Sequence, residues 1–471
     1  MVFSSLIFLY LFLPLNFVFY FLCKNLKYRN MVLVVFSLIF YAWGEPVWVI
    51  LLIFSAAIDY AHGLIIEKNR GTWKAKAALI SSLVLNLSLL GFFKYSDFVS
   101  QNINALFGTN IPLNDFHLPI GISFYTFQTL SYVIDVYRND TRAQPSFVKF
   151  LLFVSLFHQL VAGPIVRYSD IAQEIDERHT NLSEIHSGIN RFVAGLGKKV
   201  LIANTAGEIA EPFLNGDLKQ LSTVGAWIGI ILYSFQIYFD FSGYSDMAIG
   251  MGKIIGFHYK ENFNYPYISK TVTEFWRRWH ISLGTFFRDY VYIPMGGNRS
   301  HHIRNLLVVW LLTGLWHGAS WNFIIWGLFY GLIIILEKKG LSKILNKIPA
   351  FISHIYLLIT VIVAWVFFYF TDMSKAIGYI GVMFGIGGSG FYSVQDSMAI
   401  LNNGIFFIIA SLGCTPIVPV LQKWIKERIK DWKYRELVFD ICQPALNIIL
   451  ILLCTAFLVG KTYNPFLYFR F

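Results

Sequence analysis

Between Lys347 and Asp372 the chain carries no charged residue, and apolar stretches of this kind recur from one end to the other. A helix that spans a bilayer needs about 20 such residues, because in lipid every backbone N–H and C=O must bond within its own segment. Windows of that character lie at about 3–22, 31–44, 47–66, 77–93, 118–137, 222–251 (long enough for more than one pass), 305–319, 321–336, 350–371, 402–421 and 440–460. They predict about ten to twelve crossings. Composition agrees, with 56% hydrophobic and 14% charged residues, where a soluble domain has roughly a quarter charged. The expected fold class is all-α, a polytopic membrane helical bundle with re-entrant segments, forming one transmembrane domain over residues 1–471.

The first apolar run has no basic region before it and no small-residue cleavage site after it, so it reads as a retained helix. The formal charge of +11 is concentrated in loops: Lys24, Lys27 and Arg29; Lys68, Arg70, Lys74 and Lys76; Lys338, Lys339, Lys343 and Lys347; and a dense run from Lys423 to Arg435. The positive-inside rule assigns these loops to the cytoplasm, which puts the N-terminus and the tail after residue 460 outside. Topology and anionic lipid account for the charge without nucleic acid, and a basic inner face also attracts a phosphate-bearing donor. Cys23, Cys414, Cys442 and Cys454 show neither redox nor metal-ligand spacing.

Two segments do not read as simple crossings. Phe150 to Val166 is apolar but basic on both flanks and broken by Gly163-Pro164. Residues 262–304 are aromatic, basic and interrupted by Pro266, Pro294 and Gly296-Gly297. Irregular backbone at membrane depth survives only when shielded by protein or facing a wet cavity, so both are expected to be re-entrant. The polar interval 167–221 reads as interfacial helices and the glycine-rich stretch 373–401 as a flexible outer loop.

Within this frame the most informative polar group is His317, in Leu311-Leu312-Thr313-Gly314-Leu315-Trp316-His317-Gly318. A titratable side chain in an apolar segment is a functional-site candidate by default. The competing reading is a structural histidine bonded to a neighbouring helix, with Gly314 and Gly318 marking close helix packing. His280, in Trp276-Arg277-Arg278-Trp279-His280-Ile281-Ser282, is the second candidate, although its arginines and tryptophans also suit a plain interfacial anchor. Asp240 and Asp246, in the polar-aromatic run Gln236 to Asp246, are costly unless they face a cavity or pair with a cation, and core hydrogen bonding explains them equally well. Asp59 and Asp135 are treated alike. Trp316, Ser282 and Asn298 complete the expected cavity support. Gly250-Met251-Gly252-Lys253 lacks the remaining residues of a phosphate-binding loop, and neither a His-Glu-x-x-His zinc signature nor a Gly-x-Ser-x-Gly elbow occurs, so no metal is expected.

The residues also resemble a known family. Leu118 to Gln128, Tyr132 to Arg138, Gly163 to Arg167, Tyr238 to Asp246, Trp276 to Leu283, Tyr292 to Arg299 and Thr313 to Trp321 are similar, in order, to segments of the membrane-bound O-acyltransferases. The likeness is to the bacterial branch that serves alginate and peptidoglycan O-acetylation and teichoic acid D-alanylation. It implies that His317 matches the essential family histidine and His280 the second one. It further implies acetyl-CoA as a cytoplasmic acyl donor with no bound cofactor, a polysaccharide acceptor outside, and residence in the bacterial cytoplasmic (inner) membrane. An extracytoplasmic SGNH-type acetyltransferase or a small acyl-carrier peptide is the implied partner.

Elementary chemistry fits this picture. Acyl transfer from a thioester to a hydroxyl needs a base for the hydroxyl proton, and a neutral imidazole suits that task. Two other classes stay open: a transporter, which also places ionisable groups at mid-depth but would show paired broken helices, and a passive scaffold for a separate acyltransferase. The tail Tyr463 to Phe471 is too short to fold alone and aromatic enough to tuck into an outward groove; it resembles the aromatic tails of the same bacterial branch and its small partner peptides, which implies Tyr468 as an acyl carrier, with a plain aromatic belt as the alternative.

Overall fold

The apolar windows fold as helices. In the computed structural model, which describes residues 1–114, 116–160, 163–428, 430, 435–460, 463–464 and 467, the chain forms no strand among the described residues. It divides into two compact units, Met1–Phe192 with Tyr244–Glu261, and Val193–Gly243 with Asn262–Phe471.

The first unit holds helices α1 (Leu13–Leu22), α2 (Leu26–Gly44), α3 (Val49–Lys68), α4 (Trp73–Phe107), α5 (Ile122–Arg138), α6 (Phe147–Ser155), α7 (Phe157–Leu160) and α8 (Tyr168–Asp176), with most of α9 (Leu182–Gly197). Helix α5 is buried almost all round, and Asn139 closes it in the left-handed conformation (φ 68°), its N–H donating to the Asp135 and Val136 carbonyls. Polar side chains join the lipid-type helices: the Asp59 carboxylate of α3 accepts from Ser82 Oγ at 2.6 Å and Asn86 Nδ2 at 2.9 Å, both from α4. The expected re-entrant element at Phe150 to Val166 is a broken pair, α6 and α7, with Leu156 between them. Val161 and Ala162 lie outside the described residues.

The second unit contains α10 (Asn204–Asn215), preceded by a π-helical turn at Lys198–Ala203, then most of α11 (Thr223–Ile255), and α12 (Val272–Arg278), α13 (Ile281–Phe287), α14 (His302–His317) and α15 (Trp321–Leu336). It continues through α16 (Ser342–Leu345), α17 (Ala350–Tyr369), α18 (Met373–Met383), α19 (Val394–Gly413), α20 (Ile417–Arg428) and α21 (Arg435–Gly460). The stretch 222–251, long enough for two passes, is one continuous helix of 33 residues. The expected loop 373–401 is corrected in part. Ala376, Tyr379, Val382 and Met383 recur at helical spacing and are buried as α18, and Asp372 caps it by accepting from the Ser374 and Lys375 amides. Only the glycine-rich turn to α19 is irregular, where Gly385, Gly387, Gly388 and Gly390 all have positive φ.

Among the described residues seven helices are long and apolar enough to cross a membrane: α2, α3, α4, α11, α17, α19 and the Ile441–Gly460 part of α21. Helices α1, α5, α14 and α15 account for four further windows but are shorter. The protein is a multi-pass membrane protein.

Helices α14 and α15 pack as a tight hairpin. A Cβ on Gly327 would meet the Trp310 carbonyl oxygen at 2.3 Å, and one on Gly314 would meet the Phe323 carbonyl oxygen at 2.3 Å. Both glycines are therefore required by backbone-to-backbone approach, which is how the segment carrying His317 is brought against its partner helix.

Candidate active site

The site is built on α12, whose start is fixed by a buried anion. The Glu337 carboxylate, 1% exposed, accepts from the Val272 and Thr273 amides at 2.6 and 2.8 Å, from Thr273 Oγ1 at 2.6 Å and from Tyr356 Oη at 3.1 Å. Negative charge at a helix N-terminus satisfies orphan amides and complements the helix dipole. Thr271 adds a side-chain cap by accepting from the Glu274 amide. So held, α12 presents Trp276 against Trp310, Trp326 and Tyr330, with ring centroids 4.8, 5.5 and 5.0 Å away.

The helix ends at Arg278, and the chain then reverses at His280, which is left-handed (φ 46°, ψ 54°) before α13 begins. That conformation costs a non-glycine residue about 1–2 kcal/mol, so the surroundings must impose it. A crossing segment does. The Asn264 amide donates to the Arg278 carbonyl, the Ile281 amide to the Asn262 carbonyl at 2.9 Å, and the Ser282 amide to Asn262 Oδ1 at 3.1 Å. The His280 imidazole is 1% exposed, lies edge-on to Phe241 at 4.8 Å, and bonds Asn262 Oδ1 through Nδ1 at 3.3 Å.

His317 is the last residue of α14, 6% exposed, and sits in an aromatic cage with ring centroids of Trp316, Trp326 and Phe368 at 5.0, 5.0 and 5.1 Å. The Trp316 indole is also 5.8 Å from His280. The structure thus gathers both candidate histidines around one tryptophan.

A cavity of about 560 Å³ opens beside them, lined among others by Trp276, Trp310, Thr313 and His280. Its lining includes His280 and not His317 among the described residues. Arg277, Arg288 and Lys338 also line it. Arg288 is tied to Asp289 at 2.6 Å, whereas Lys338 lies 2.8 Å from His302 and close enough to Arg277 to feel its charge. Partial burial, then Arg277, lowers the Lys338 pKa from its ordinary value. Cations held together in this way favour an anionic ligand.

Comparison with known proteins decides the class. Residues 18–380 match the profile of MBOAT, the membrane-bound O-acyltransferase family. The chain belongs to that family. Its relatives include a probable alginate O-acetylase AlgI of Pseudomonas putida, 38% identical with all of both chains covered. A peptidoglycan O-acetyltransferase of Helicobacter pylori is 33% identical over the whole chain and 98% of its own length. A teichoic acid D-alanyltransferase of Streptococcus thermophilus is 29% identical over 48% of this chain and 58% of its own. The protein is an O-acyltransferase.

The remaining expected residues of the acyltransferase fall in three places. Ser282 Oγ donates to Asn262 Oδ1 at 2.9 Å and so adjoins His280, while Asn298 lines the cavity and accepts from Tyr292 Oη at 2.7 Å. Asp240 is in a buried pair with Lys199 at 2.7 Å, and its Oδ2 accepts from the Leu467 amide at 2.9 Å. Asp246 belongs to the first unit, bound to Arg191 at 2.8 Å. Tyr468 lies outside the described residues. The nearby tail is seated: Tyr463 Oη accepts from Gln236 Nε2, Asn464 Oδ1 accepts from Asn204 Nδ2, and Leu467 is 5% exposed.

Asn262 and Glu337 were not picked out from the sequence. Glu337 is the lone acid beside Lys338 and Lys339 and reads as part of a charged loop, and Asn262 acts across 18 residues of chain.

Proposed function

We propose that this O-acyltransferase takes an acetyl group from acetyl-CoA on the cytoplasmic side of the bacterial inner membrane for O-acetylation of an extracytoplasmic polysaccharide, alginate- or peptidoglycan-like. The observation that carries the reading is the cavity, with Arg277, Arg288 and Lys338 on its lining and His280 in its wall. Phosphates of the donor suit those cations, and an apolar lining of Trp276 and Trp310 suits a thioester arm. The names of the full-length relatives supply the acetyl group and the glycan class.

In the proposed step His317 takes the proton of the acceptor hydroxyl, whose oxygen attacks the thioester carbonyl carbon. The C–S bond breaks with its electron pair on sulfur, and the departing thiolate takes the proton back from the imidazolium. His280, which lines the cavity, is a supporting residue that orients either the donor thioester or the acceptor. The first acceptor in this reading is Tyr468, whose phenol would hold the acetyl group as an activated aryl ester for an SGNH-type partner or a small acyl-carrier peptide.

Radiolabelled acetyl-CoA supplied to membranes, with alginate and peptidoglycan as alternative acceptors, tests the proposal. Label is expected in a glycan ester in wild type and absent in Tyr468→Phe at equal expression. Labelling by Tyr468→Phe at the wild-type rate would remove the tail from the reaction. Label reaching teichoic acid from a D-alanyl donor, and none from acetyl-CoA, would replace the acetyl reading.

A further inference from the structure

The geometry points to Asn262 as a positioning residue that fixes the tautomer of His280, so that Nδ1 carries the proton and Nε2 keeps the lone pair in a residue that lines the donor cavity. The argument begins with the amide's orientation. The Ser282 backbone N–H has only a proton to offer, and it meets the Asn262 side-chain atom at 3.1 Å, so that atom is the carbonyl oxygen and not the nitrogen. An amide oxygen carries no proton. The His280 nitrogen 3.3 Å from it must therefore be the protonated one, Nδ1–H. Ser282 Oγ donates to the same oxygen at 2.9 Å, which leaves it no proton for His280.

With Nδ1 committed, Nε2 holds the lone pair. Among the described residues no hydrogen-bond partner meets that Nε2, though it is fully shielded by the surrounding side chains. His280 nevertheless lines the cavity, while its ring is clamped by Phe241 and Trp316. A buried acceptor without a partner is costly, and a ligand N–H or O–H that displaced the shielding side chains would satisfy it. Asn262 is 0% exposed, and its main chain also accepts from the Ile281 amide, so one residue both imposes the left-handed turn at His280 and sets which ring nitrogen carries the proton. The arrangement is that of a second residue orienting a base. It rests on the proposed acyl transfer for its purpose, but the tautomer itself does not depend on that reading.

Nitrogen-15 NMR of the full-length protein in detergent, labelled at histidine and assigned by difference from His280→Gln, reads the tautomer directly. Wild type is expected to show Nδ1 protonated and Nε2 unprotonated, and Asn262→Ala to show a mixture. In Asn262→Asp the protonated Nδ1 should persist. Steady-state acyl transfer supplies the second readout. Asn262→Ala should lose about tenfold or more in kcat with donor KM within twofold, as expected when the lost orientation of a supporting imidazole weakens the transition state and not the bound donor. Asn262→Asp should recover most of the kcat, with the acid limb of its pH–rate profile moved to higher pH, because a carboxylate stabilises the imidazolium. A wild-type spectrum with Nε2 protonated would overturn the proposal, whatever the enzyme's activity. So would equal losses in Asn262→Ala and Asn262→Asp with unshifted pH profiles, which would make Asn262 a turn-forming residue only. Absence of acyl transfer from any form, with the expected spectra intact, would count against the proposed function and leave the tautomer standing.

Discussion

At the scale of single residues, His317 stands out in the sequence because a titratable group in the apolar stretch that follows Asn305 has few bland explanations, and the structure places it in an aromatic cage with His280 on the other side of Trp316. What the sequence could not show is which of the two histidines lines the cavity. His280 lines the cavity through a turn imposed by Asn262, and the cations of that cavity come from three separate elements. Such contacts depend on chain crossings that leave no local pattern. The cation cluster carries its own prediction. Each charge-assisted hydrogen bond to a phosphate contributes about 1.5–3 kcal/mol, so Arg277→Ala and Lys338→Ala should each raise the donor KM about tenfold or more while kcat stays within twofold. Initial-rate kinetics at low and high salt check this, and the wild-type KM should rise with ionic strength more steeply than that of either variant. A fall in kcat at unchanged KM would separate these cations from donor binding.

At the scale of elements, most apolar windows coincide with helices, since length and lack of charge are local properties, but the window 402–421 is cut between α19 and α20, and the apolar helix there is Val394–Gly413. Helix α18 escaped because its flanking glycines suggested a loop, and only the burial of Ala376, Tyr379 and Val382 shows its apolar face. The segments 150–166 and 262–304, expected to be re-entrant, are built from short helices, with breaks that include Leu156 and His280. Close packing of α14 on α15 is testable through Gly327. Alanine normally improves a helix by about 1 kcal/mol over glycine. Here its Cβ meets the Trp310 carbonyl oxygen, and overpacking costs about 1–3 kcal/mol. Gly327→Ala should therefore lower the Tm by several degrees, whereas Gly404→Ala in α19, where nothing lies within 4 Å, should leave it unchanged or raise it. Equal Tm values for the two variants would contradict the close approach.

In the first unit His258 joins Glu174 of α8 and Glu184 of α9 at 2.8 and 3.2 Å. Partial burial lowers the imidazole pKa, but the two carboxylates outweigh it and hold the value above the ordinary 6.5. A folded pKa above the unfolded one means that this contribution to stability is complete below about pH 6.5 and is lost as pH rises through the raised folded value. Thermal unfolding of wild type and His258→Ala should converge at alkaline pH and separate on the acid side. Curves that stay parallel across the range would remove His258 from the linkage.

At the scale of the whole molecule, the chain is an O-acyltransferase embedded in a membrane, and membership rests on a family match across residues 18–380 together with full-length relatives. Several apolar helices expose large hydrophobic side chains, such as Leu401 at 81% and Val459 at 69%, as suits surfaces facing lipid tails. The proposed chemistry lies in a small region of the second unit, where α12, α13 and α14 bring two histidines and a cation-lined cavity together. The most direct test of that account is single-turnover transfer from radiolabelled acetyl-CoA to a hydroxyl acceptor by the purified protein, comparing wild type with His317→Gln. Removal of a general base slows a reaction by about 10²–10⁴-fold, so His317→Gln should fall by that factor with its Tm and detergent-solubilised size unchanged. Transfer by His317→Gln within tenfold of wild type would contradict the account, as would a wild-type protein that leaves the acetyl thioester intact.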